Sequence, residues 1–308
     1  MTGDTPSRPR RQPRRTQRVA TGEVVQHPAV AVAADCLVVI HAAASEKITE
    51  RHVLDPDDGP HAAGRGSTCR IVIDSPAVSR QHASFERQGL LWRVRDLGSL
   101  NGTYVNDLRV HEHVLEHGDR IQVGDTIFKY LSGTDVDAAY AEAIRATMTT
   151  DGVTQALNDR AFRDSLQNAW ARARRETATA ALVILDVDRF KTVNDAHGHL
   201  AGDRVLRELV RRVRQMCPDD VAVARVGGEE FALVLRDGTL GKALNLAEAC
   251  RAHLAATPFD IGMVQLGVTA SFGVAQLGRV PETANEWFDR ADRKMFEAKR
   301  GGRNRVQG

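Results

Sequence analysis

Residues 222–234 read Ala-Val-Ala-Arg-Val-Gly-Gly-Glu-Glu-Phe-Ala-Leu-Val, two apolar runs around the glycine pair Gly227-Gly228. Such a pattern predicts a β-hairpin, and the glycines permit positive φ values and a close approach of backbone N–H groups to a phosphate or base. Glu229 and Glu230 follow the turn and alternate faces, so one of them can reach a site on a neighbouring strand. On these residues alone, a plain hairpin with exposed acids is the alternative.

A second apolar run, 182–185, leads straight into Asp186-Val187-Asp188-Arg189-Phe190-Lys191. Carboxylates at a strand end favour a hard divalent cation beside a triphosphate, because Mg²⁺ prefers oxygen ligands and is usually bound by carboxylates together with substrate phosphates. For Asp188 the alternative is capping of the following helix, whereas Asp186 lies too deep in the strand for that role. Taken by itself, this motif favours a cation site at the strand end but leaves the capping role of Asp188 open.

The pattern around these motifs alternates between helices and strands. Apolar strands are predicted at 181–185, 231–235 and 268–274, and helices at 202–216 and 240–255. This alternation predicts an α/β or α+β domain with helices packed on a sheet.

The preceding part of the chain is strand-like from about residue 36 to 131. Short β segments are predicted at 37–40, 71–73 and 121–123, and Trp92 and Val94 alternate with Arg93 and Arg95. Many short strands separated by turn residues predict an all-β sandwich. Val136, Tyr140, Ile144 and Met148 then recur at helical spacing, with Thr134 or Asp135 as the N-cap, and predict a connecting helix.

Composition limits the function classes. The 308 residues suggest two domains, and a net charge of +2 does not fit an electrostatic nucleic-acid binder. Residues 1–30 form a basic, proline-containing arm that we expect to be disordered. The apolar stretch 29–44 is short for a membrane span and is interrupted by Asp35 and His41. We therefore expect no membrane partner. The four cysteines show neither the spacing of a metal site nor that of a redox motif, so we expect free thiols and a cytoplasmic location.

From about residue 151 to 305 the chain resembles the GGDEF family of diguanylate cyclases. Five motifs in order carry the resemblance: Asp151-Gly-Val-Thr with Asn158-Asp-Arg-Ala-Phe162, the run from Asp186 to Asp203, Arg225-Val-Gly-Gly-Glu-Glu-Phe231, Ser271-Phe-Gly-Val-Ala, and the segment from Ala291 to Arg305. The resemblance implies a ferredoxin-like, palm-like nucleotidyl cyclase fold. It also implies that two GTP are condensed to cyclic di-GMP and two pyrophosphates by a homodimer, since each domain would hold one GTP.

The resemblance also implies roles for individual residues. Asp186, the carbonyl of Val187 and Glu229 would bind Mg²⁺, two ions per active site with Mn²⁺ as a substitute, and Glu230 would contribute to the second ion. Glu229 would also assist deprotonation of the attacking 3′-hydroxyl. The implied GTP-binding residues are Phe190, Lys191, Asn194, His199, Asp203, Gly227, Gly228, Lys299 and Arg303. Asn194 and Asp203 would bond the guanine edge, and Lys191, Lys299 and Arg303 would neutralise the triphosphate.

One departure from the family concerns product inhibition. Many relatives carry an Arg-x-x-Asp site before the glycine turn, where this chain has Pro218-Asp219-Asp220-Val221. We therefore expect no inhibitory product site of that kind.

Residues 37–131 resemble a forkhead-associated (FHA) domain, a β-sandwich that reads phosphothreonine. The resemblance rests on Gly64-Arg65, Ser79-Arg80-Gln81-His82 and Ser99-Leu100-Asn101-Gly102-Thr103. It implies that Arg65 and Ser79 contact the phosphate with support from Arg80 and Thr103. Asn101 would hold the partner's backbone, and His82 would brace the loops.

The predicted layout is a basic arm (1–30), an FHA-like sandwich (34–132), a linker helix (134–150) and a cyclase domain (151–306). The predicted function is a diguanylate cyclase regulated by a phosphothreonine protein, through the linker helix. The alternatives are a catalytically silent GTP-binding adaptor and a phosphate-independent assembly module.

Overall fold

The structure of the chain is a computed structural model that describes residues 34–133, 136–261, 264–278 and 282–308. The predicted basic arm lies outside these residues, as do Thr134 and Asp135, the proposed N-caps of the connecting helix. No helix in the described ranges has both the length and the apolarity needed to cross a membrane.

The N-terminal half is a sandwich of two sheets. Its strands are β1 (Cys36–His41), β2 (Arg51–Val53), β3 (His61–Gly64), β4 (Ile71–Val72), β5 (Ala83–Gln88), β6 (Leu91–Asp96), β7 (Thr103–Val105), β8 (Leu108–Val110), β9 (Glu112–Val114), β10 (Arg120–Val123) and β11 (Thr126–Leu131). One sheet has the order β2-β1-β11-β10-β7-β8 and the other β4-β3-β5-β6-β9. Side chains such as Leu37, Phe85, Trp92 and Phe128 fill the core between them. The predicted all-β sandwich is confirmed.

The connecting helix α1 (Val136–Thr149) is present close to its predicted bounds. Val136 and Ala143 are buried against β1 and β11. The Tyr140 hydroxyl donates to the carbonyl of Thr49 at 3.0 Å, and its ring lies under the Arg51 guanidinium. The first half of the apolar stripe, Val136 and Tyr140, thus packs on the sandwich, whereas Met148 at the end of the stripe is 56% exposed.

The C-terminal half alternates helices and strands around one five-stranded sheet. Its elements are α2 (Asp159–Glu176), β12 (Ala180–Val187), α3 (Phe190–His197), α4 (His199–Met216), β13 (Val223–Arg225), β14 (Glu230–Arg236), α5 (Leu240–Ala256), β15 (Phe259–Asp260), β16 (Gln265–Leu266), β17 (Ala270–Gln276), α6 (Ala284–Arg300) and β18 (Val306–Gln307). The sheet order is β13-β14-β12-β17-β18.

Strand β12 is central and wholly buried because helices cover both faces of the sheet. Helices α4 and α5 pack on one face, and α2 and α6 on the other. Gly273 allows α6 to lie directly on β17, since a methyl group there would overlap the main-chain nitrogen of Met295 and the carbonyl oxygen of Ala291. The sheet therefore presents the end of β12, with Asp186, beside the end of α6, with Lys299.

The two halves pack against each other through arginines. Arg207 of α4 pairs with Asp107 of the sandwich at 2.9 Å, and its side chain is only 10% exposed. Arg120 of β10 donates to the carbonyls of Gly152 and Val153 at 2.8 and 3.1 Å. Gly152 also touches the main chain of Ile40 so closely that no side chain would fit.

Cys217 and Cys250 are brought within hydrogen-bonding distance, although 33 residues apart in sequence. This hydrogen bond lowers the pKa of the Cys217 thiol and raises that of the more deeply buried Cys250. The sequence alone gave no sign of this pair. All four cysteines are free thiols.

Candidate active site

Asp186 lies at the end of β12 and is 3% exposed. One of its carboxylate oxygens, Oδ2, pairs with the Lys299 ammonium at 2.6 Å, while Oδ1 is buried and has no hydrogen-bond partner. Burial raises the pKa of Asp186 to about 6; Lys299 opposes the rise, and the negative charges of Glu229 and Glu230 add to it. An orphaned carboxylate oxygen among three acids is a place where a cation would be stabilised.

The two glutamates after the glycine turn lie near Asp186, and the charge of each raises its pKa. Glu230 is the cross-strand partner of Asp186 on β14, and the carbonyl of Glu229 accepts from the Val187 N–H at 3.2 Å. Burial raises the pKa of Glu229, with Lys299 opposing and Glu230 adding to the effect. The expectation that only one of the two glutamates reaches the site from Asp186 stays a prediction, although both carboxylates add to the rise in the pKa of Asp186.

The hairpin predicted at Gly227-Gly228 is confirmed by the pairing of β13 with β14. Neither glycine has the positive φ that the turn pattern suggested. A side chain at Gly227 would meet the Glu230 carboxylate, which is the flexible end of that side chain. A side chain at Gly228 would meet only open space, so its backbone is accessible.

Arg225 holds this turn and was not singled out from the sequence. Its guanidinium donates twice to the Gly228 carbonyl, at 3.2 and 2.7 Å, and pairs with the Asp151 carboxylate at 3.0 Å. Burial would raise the pKa of Asp151, but Arg225 and the Thr154 hydrogen bonds outweigh it and lower the pKa. Arg225 thus fixes the glycine turn to the start of the domain.

The residues expected at the guanine base lie on α3 and α4. Asn194 Oδ1 is buried without a hydrogen-bond partner, and Gly202 packs against it so closely that a methyl group would overlap that oxygen. Asp203 lies one residue further on α4; burial raises its pKa, while the charges of Arg207 and His41 oppose the rise. His199 is exposed at the start of α4.

The residues expected near the triphosphate differ in how far they are exposed to solvent. Lys191 and Arg303 are exposed, whereas Phe190 is 6% exposed and packs in the hydrophobic core. The Phe190 side chain therefore cannot contact GTP, and only its main chain is available at the start of α3. The expected GTP-binding role of Phe190 therefore stays a prediction that concerns its main chain.

Asp188 is neither a helix cap nor a partner of Asp186. The residue before α3 is Arg189, whose side chain makes no cap hydrogen bond. The Asp188 carboxylate instead accepts from the hydroxyls of Thr269 and Ser271, both at 2.7 Å, and from the Asn304 N–H at 3.0 Å. Asp188 thus ties β12 to β17 and to the loop that carries Arg303.

The donor set fits a divalent cation held by oxygen ligands. Within the described ranges, no three acidic, thiol or imidazole side chains converge as a ligand cluster. The set implied by the sequence has three acidic side chains, Asp186, Glu229 and, for a second ion, Glu230, together with the Val187 carbonyl. The part of it made by Asp186, Glu229 and the carbonyl does not require a three-acid cluster, whereas the contribution of Glu230 stays a prediction. The orphaned Asp186 oxygen and the raised pKa of Glu229 agree with such a set.

Comparison with known families shows which family this part of the chain belongs to. The family model for "Diguanylate cyclase, GGDEF domain" matches residues 148–305, about half of the chain. The chain belongs to the GGDEF family of diguanylate cyclases. The FHA domain model matches residues 61–124, so an FHA domain precedes the GGDEF domain.

Individual relatives agree with this assignment. The chain is 34% identical over 200 residues to diguanylate cyclase DgcP of Pseudomonas aeruginosa, spanning 64% of this chain and 29% of DgcP. The crystal structure of the coiled coil and GGDEF domain of DgcB from Caulobacter crescentus, in complex with c-di-GMP, covers 55% of this chain and 90% of that chain, at 31% identity and a TM-score of 0.52. Diguanylate cyclase SiaD in complex with its activator SiaC, from P. aeruginosa, matches at 34% identity and a TM-score of 0.50, covering 56% of this chain and 68% of that chain.

In the FHA domain, main-chain hydrogen bonds bring together three of the predicted phosphate contacts. The N–H of Arg65 donates to the Ser79 carbonyl, and that of Gly66 to the Arg80 carbonyl, both at 3.0 Å. The side chains of Arg65 and Arg80 are exposed. Two exposed guanidinium groups on neighbouring loops are suitable donors for a phosphate.

The neighbouring Asn101 loop is held against Ser79. The Leu100 N–H donates to the Ser79 hydroxyl at 3.1 Å, and the Asn101 amide donates to the Ala77 carbonyl at 2.7 Å. His82 is fully buried and joins the loops, accepting from the Ser79 N–H and bonding the Gly102 carbonyl. The predicted bracing position of His82 is confirmed.

Thr103 does not reach the surface. Its side chain is fully buried, and its hydroxyl donates to Asp96 at 2.8 Å. The expected supporting contact from Thr103 to a phosphate is therefore wrong. Asp96 also accepts from the Ser99 hydroxyl, so this carboxylate organises the loop from beneath.

Proposed function

We propose that the chain condenses two GTP molecules into cyclic di-GMP with release of two pyrophosphates. The observation that carries this proposal is the buried Asp186 with its orphaned oxygen beside Lys299, next to Glu229 and the glycine turn. When bound, divalent cations at these oxygens would offset charge on the reacting phosphates. Every expected catalytic and ligand residue carries a side chain or carbonyl of the required type, unlike a degenerate GTP-binding adaptor.

The residues have distinct tasks in this reaction. Asn194 and Asp203 accept from guanine N–H groups, which favours guanine over adenine. Lys299 and Lys191 stabilise the triphosphate charge, and the open space at Gly228 admits a phosphate next to the turn. Glu229 receives the proton of the 3′-hydroxyl. Because one domain would hold one GTP, two chains must face each other about a two-fold axis for both hydroxyls to attack.

The test is a comparison of two glutamate variants. The full chain incubated with GTP and Mg²⁺ is expected to form cyclic di-GMP, and Glu229→Gln is expected to lower the rate by at least about 100-fold, the range for a lost general base. Glu248→Gln, an exposed glutamate of α5 paired with Arg251, is the matched control and should match the unmodified chain. Absence of product, with Glu229→Gln indistinguishable from the parent, would leave the silent adaptor as the function.

We further propose that the FHA domain regulates the cyclase by reading a phosphothreonine protein. The support is the cluster of Arg65, Ser79 and Arg80 described above. Arg65→Ala is expected to abolish capture of phosphoproteins, and phosphatase treatment should have the same effect on the parent chain. Phosphatase-resistant binding that survives Arg65→Ala would instead support a phosphate-independent assembly module.

A further inference from the structure

A cleft of about 1020 Å³ lies between the FHA domain and helix α4 of the GGDEF domain. Asn101, the residue expected to hold a partner's backbone, lines the FHA side of this cleft, and so does the highly exposed Leu100. The cleft is therefore continuous with the proposed phosphopeptide site.

The cleft carries an excess of positive charge. Six arginines line it, against the three acids Asp107, Glu208 and Asp260. The arginines are Arg109, Arg120, Arg204, Arg207, Arg211 and Arg214. Only Arg207 and Arg211 are among the ion pairs of the described residues, with Asp107 and Glu208 respectively.

Three of the other four arginines are held in place by neutral groups. Arg120, Arg204 and Arg214 donate to the main-chain carbonyls of Gly152, Ile261 and Gln155, respectively. The Arg204 guanidinium also stacks on Tyr104, 4.4 Å from the ring centroid. A neutral carbonyl orients a guanidinium but does not cancel its charge, so these side chains are positioned for an anion.

A buried donor supports the same conclusion. The Nη1 atom of Arg207 is buried and has no hydrogen-bond partner, in a side chain that is nine-tenths buried. Buried donors are rarely left unpaired in proteins, and each one is costly. Because Arg207 lines the cleft, this unpaired donor adds to the positive charge of that wall.

We infer that the cleft binds an acidic segment of the same phosphothreonine protein that the FHA domain reads. This inference rests on the proposed function of the FHA domain. The phosphothreonine lies at Arg65 and Ser79, the backbone passes Asn101, and the flanking Asp or Glu side chains meet Arg204, Arg211 and Arg214 of α4. The peptide site is thus composite, with one wall supplied by the cyclase. Helix α4 also carries Asp203, the residue proposed to bind the guanine base. The bound peptide would therefore contact the same helix as the substrate.

A degenerate peptide library tests this inference on the full chain. The probe is a set of peptides with a fixed phosphothreonine and random residues on both sides, and the bound fraction is sequenced. The parent chain is expected to enrich Asp and Glu on one side of the phosphothreonine, by about threefold per acidic residue, the effect of one exposed charge pair. The double variant Arg211→Glu/Arg214→Glu should lose this enrichment but still select phosphothreonine over threonine.

The matched control is Arg163→Glu on α2. The Arg163 side chain is 58% exposed and pairs with Asp159, as Arg211 is 57% exposed and pairs with Glu208. It lies outside the cleft and should leave the selection unchanged.

The experiment distinguishes failure of the cleft inference from failure of the FHA proposal. Selection of phosphothreonine without any acidic preference, or an acidic preference that survives the double variant, overturns the cleft inference alone. No preference for phosphothreonine over threonine, with Arg65→Ala equal to the parent, overturns the FHA proposal and the inference with it. Competition for the cleft by GTP or cyclic di-GMP, without effect of the peptides, would assign it to a nucleotide and also overturns the inference.

Discussion

Arg225 connects three segments that are far apart in the chain. It binds Asp151 at the start of the GGDEF domain and the Gly228 carbonyl in the turn, and it lies in β13. We expect Arg225→Ala to lower kcat by about 100-fold, since misplacing a catalytic turn by about 1 Å has effects of that size. KM for GTP should change much less. Steady-state kinetics check this, and an equal change in both constants would contradict a positioning role.

We expect Asp96 to make the stability of the FHA loops sensitive to acid. Burial would raise its pKa, but hydrogen bonds from Ser99, Thr103 and the backbone of Gly98 outweigh it and lower the pKa below its ordinary value of 3.8. A depressed folded-state pKa gives stability that is complete above the ordinary value and is lost as pH falls through the folded value. Asp96→Asn should therefore lower the free energy of unfolding by about 1–3 kcal/mol at pH 7.

The same change should have a smaller effect at pH 3, where the parent chain has itself begun to lose this contribution. Urea unfolding of the full chain at both pH values measures it. An equal loss at pH 7 and pH 3 would show that the carboxylate charge is not what stabilises the loop.

Individual residues were predictable where the chemistry is local. Asp186 could be placed at a strand end from an apolar run followed by an acid. The partnership of Arg225 with Asp151 could not, because 74 residues separate them and only the folded sheet brings them together. Thr103 was misassigned because a hydroxyl next to a turn can face either side, and β7 turns it inward onto Asp96.

At the scale of helices and strands, Gly202 connects α4 to the guanine side of the site. A methyl group at this position would overlap Asn194 Oδ1 and lie 2.9 Å from the Phe190 ring. Gly202→Ala is expected to raise KM for GTP about tenfold, because Asn194 must move. Gly241→Ala on α5, where a methyl group meets only open space, is the control. An unchanged KM would show that Asn194 does not bind the substrate.

Element types were predicted well and element boundaries less so. Helix α4 begins at His199 rather than at residue 202, because Gly198 has a φ of 80° and separates it from α3. The sequence pattern did not indicate this start, because Gly202 lies near the beginning of α4 and glycine has a low helix propensity. The hairpin at Gly227-Gly228 was predicted correctly, but the positive φ expected of its glycines was not, since neither glycine adopts it.

For the whole molecule, the arginine contacts between the halves predict coupled unfolding. Arg207 pairs with Asp107, and Arg120 binds the carbonyls of Gly152 and Val153. We expect one calorimetric transition for the parent chain and two for Arg120→Ala/Arg207→Ala, since the double variant separates the two cooperative units. Arg163→Ala should keep one transition. Two transitions in the parent chain would contradict the coupling.

The contact at Gly273 makes a position without any functional group as vulnerable as the active-site carboxylates. A random-mutagenesis screen for lost cyclic di-GMP signalling should return substitutions at Gly273 together with those at Asp186 and Glu229. Because a side chain there would overlap the main chain of α6, we expect it to lift α6 from β17 and to carry Lys299 away from Asp186. Purified Gly273→Ala should show reduced turnover, and full activity of that variant would refute this genetic expectation.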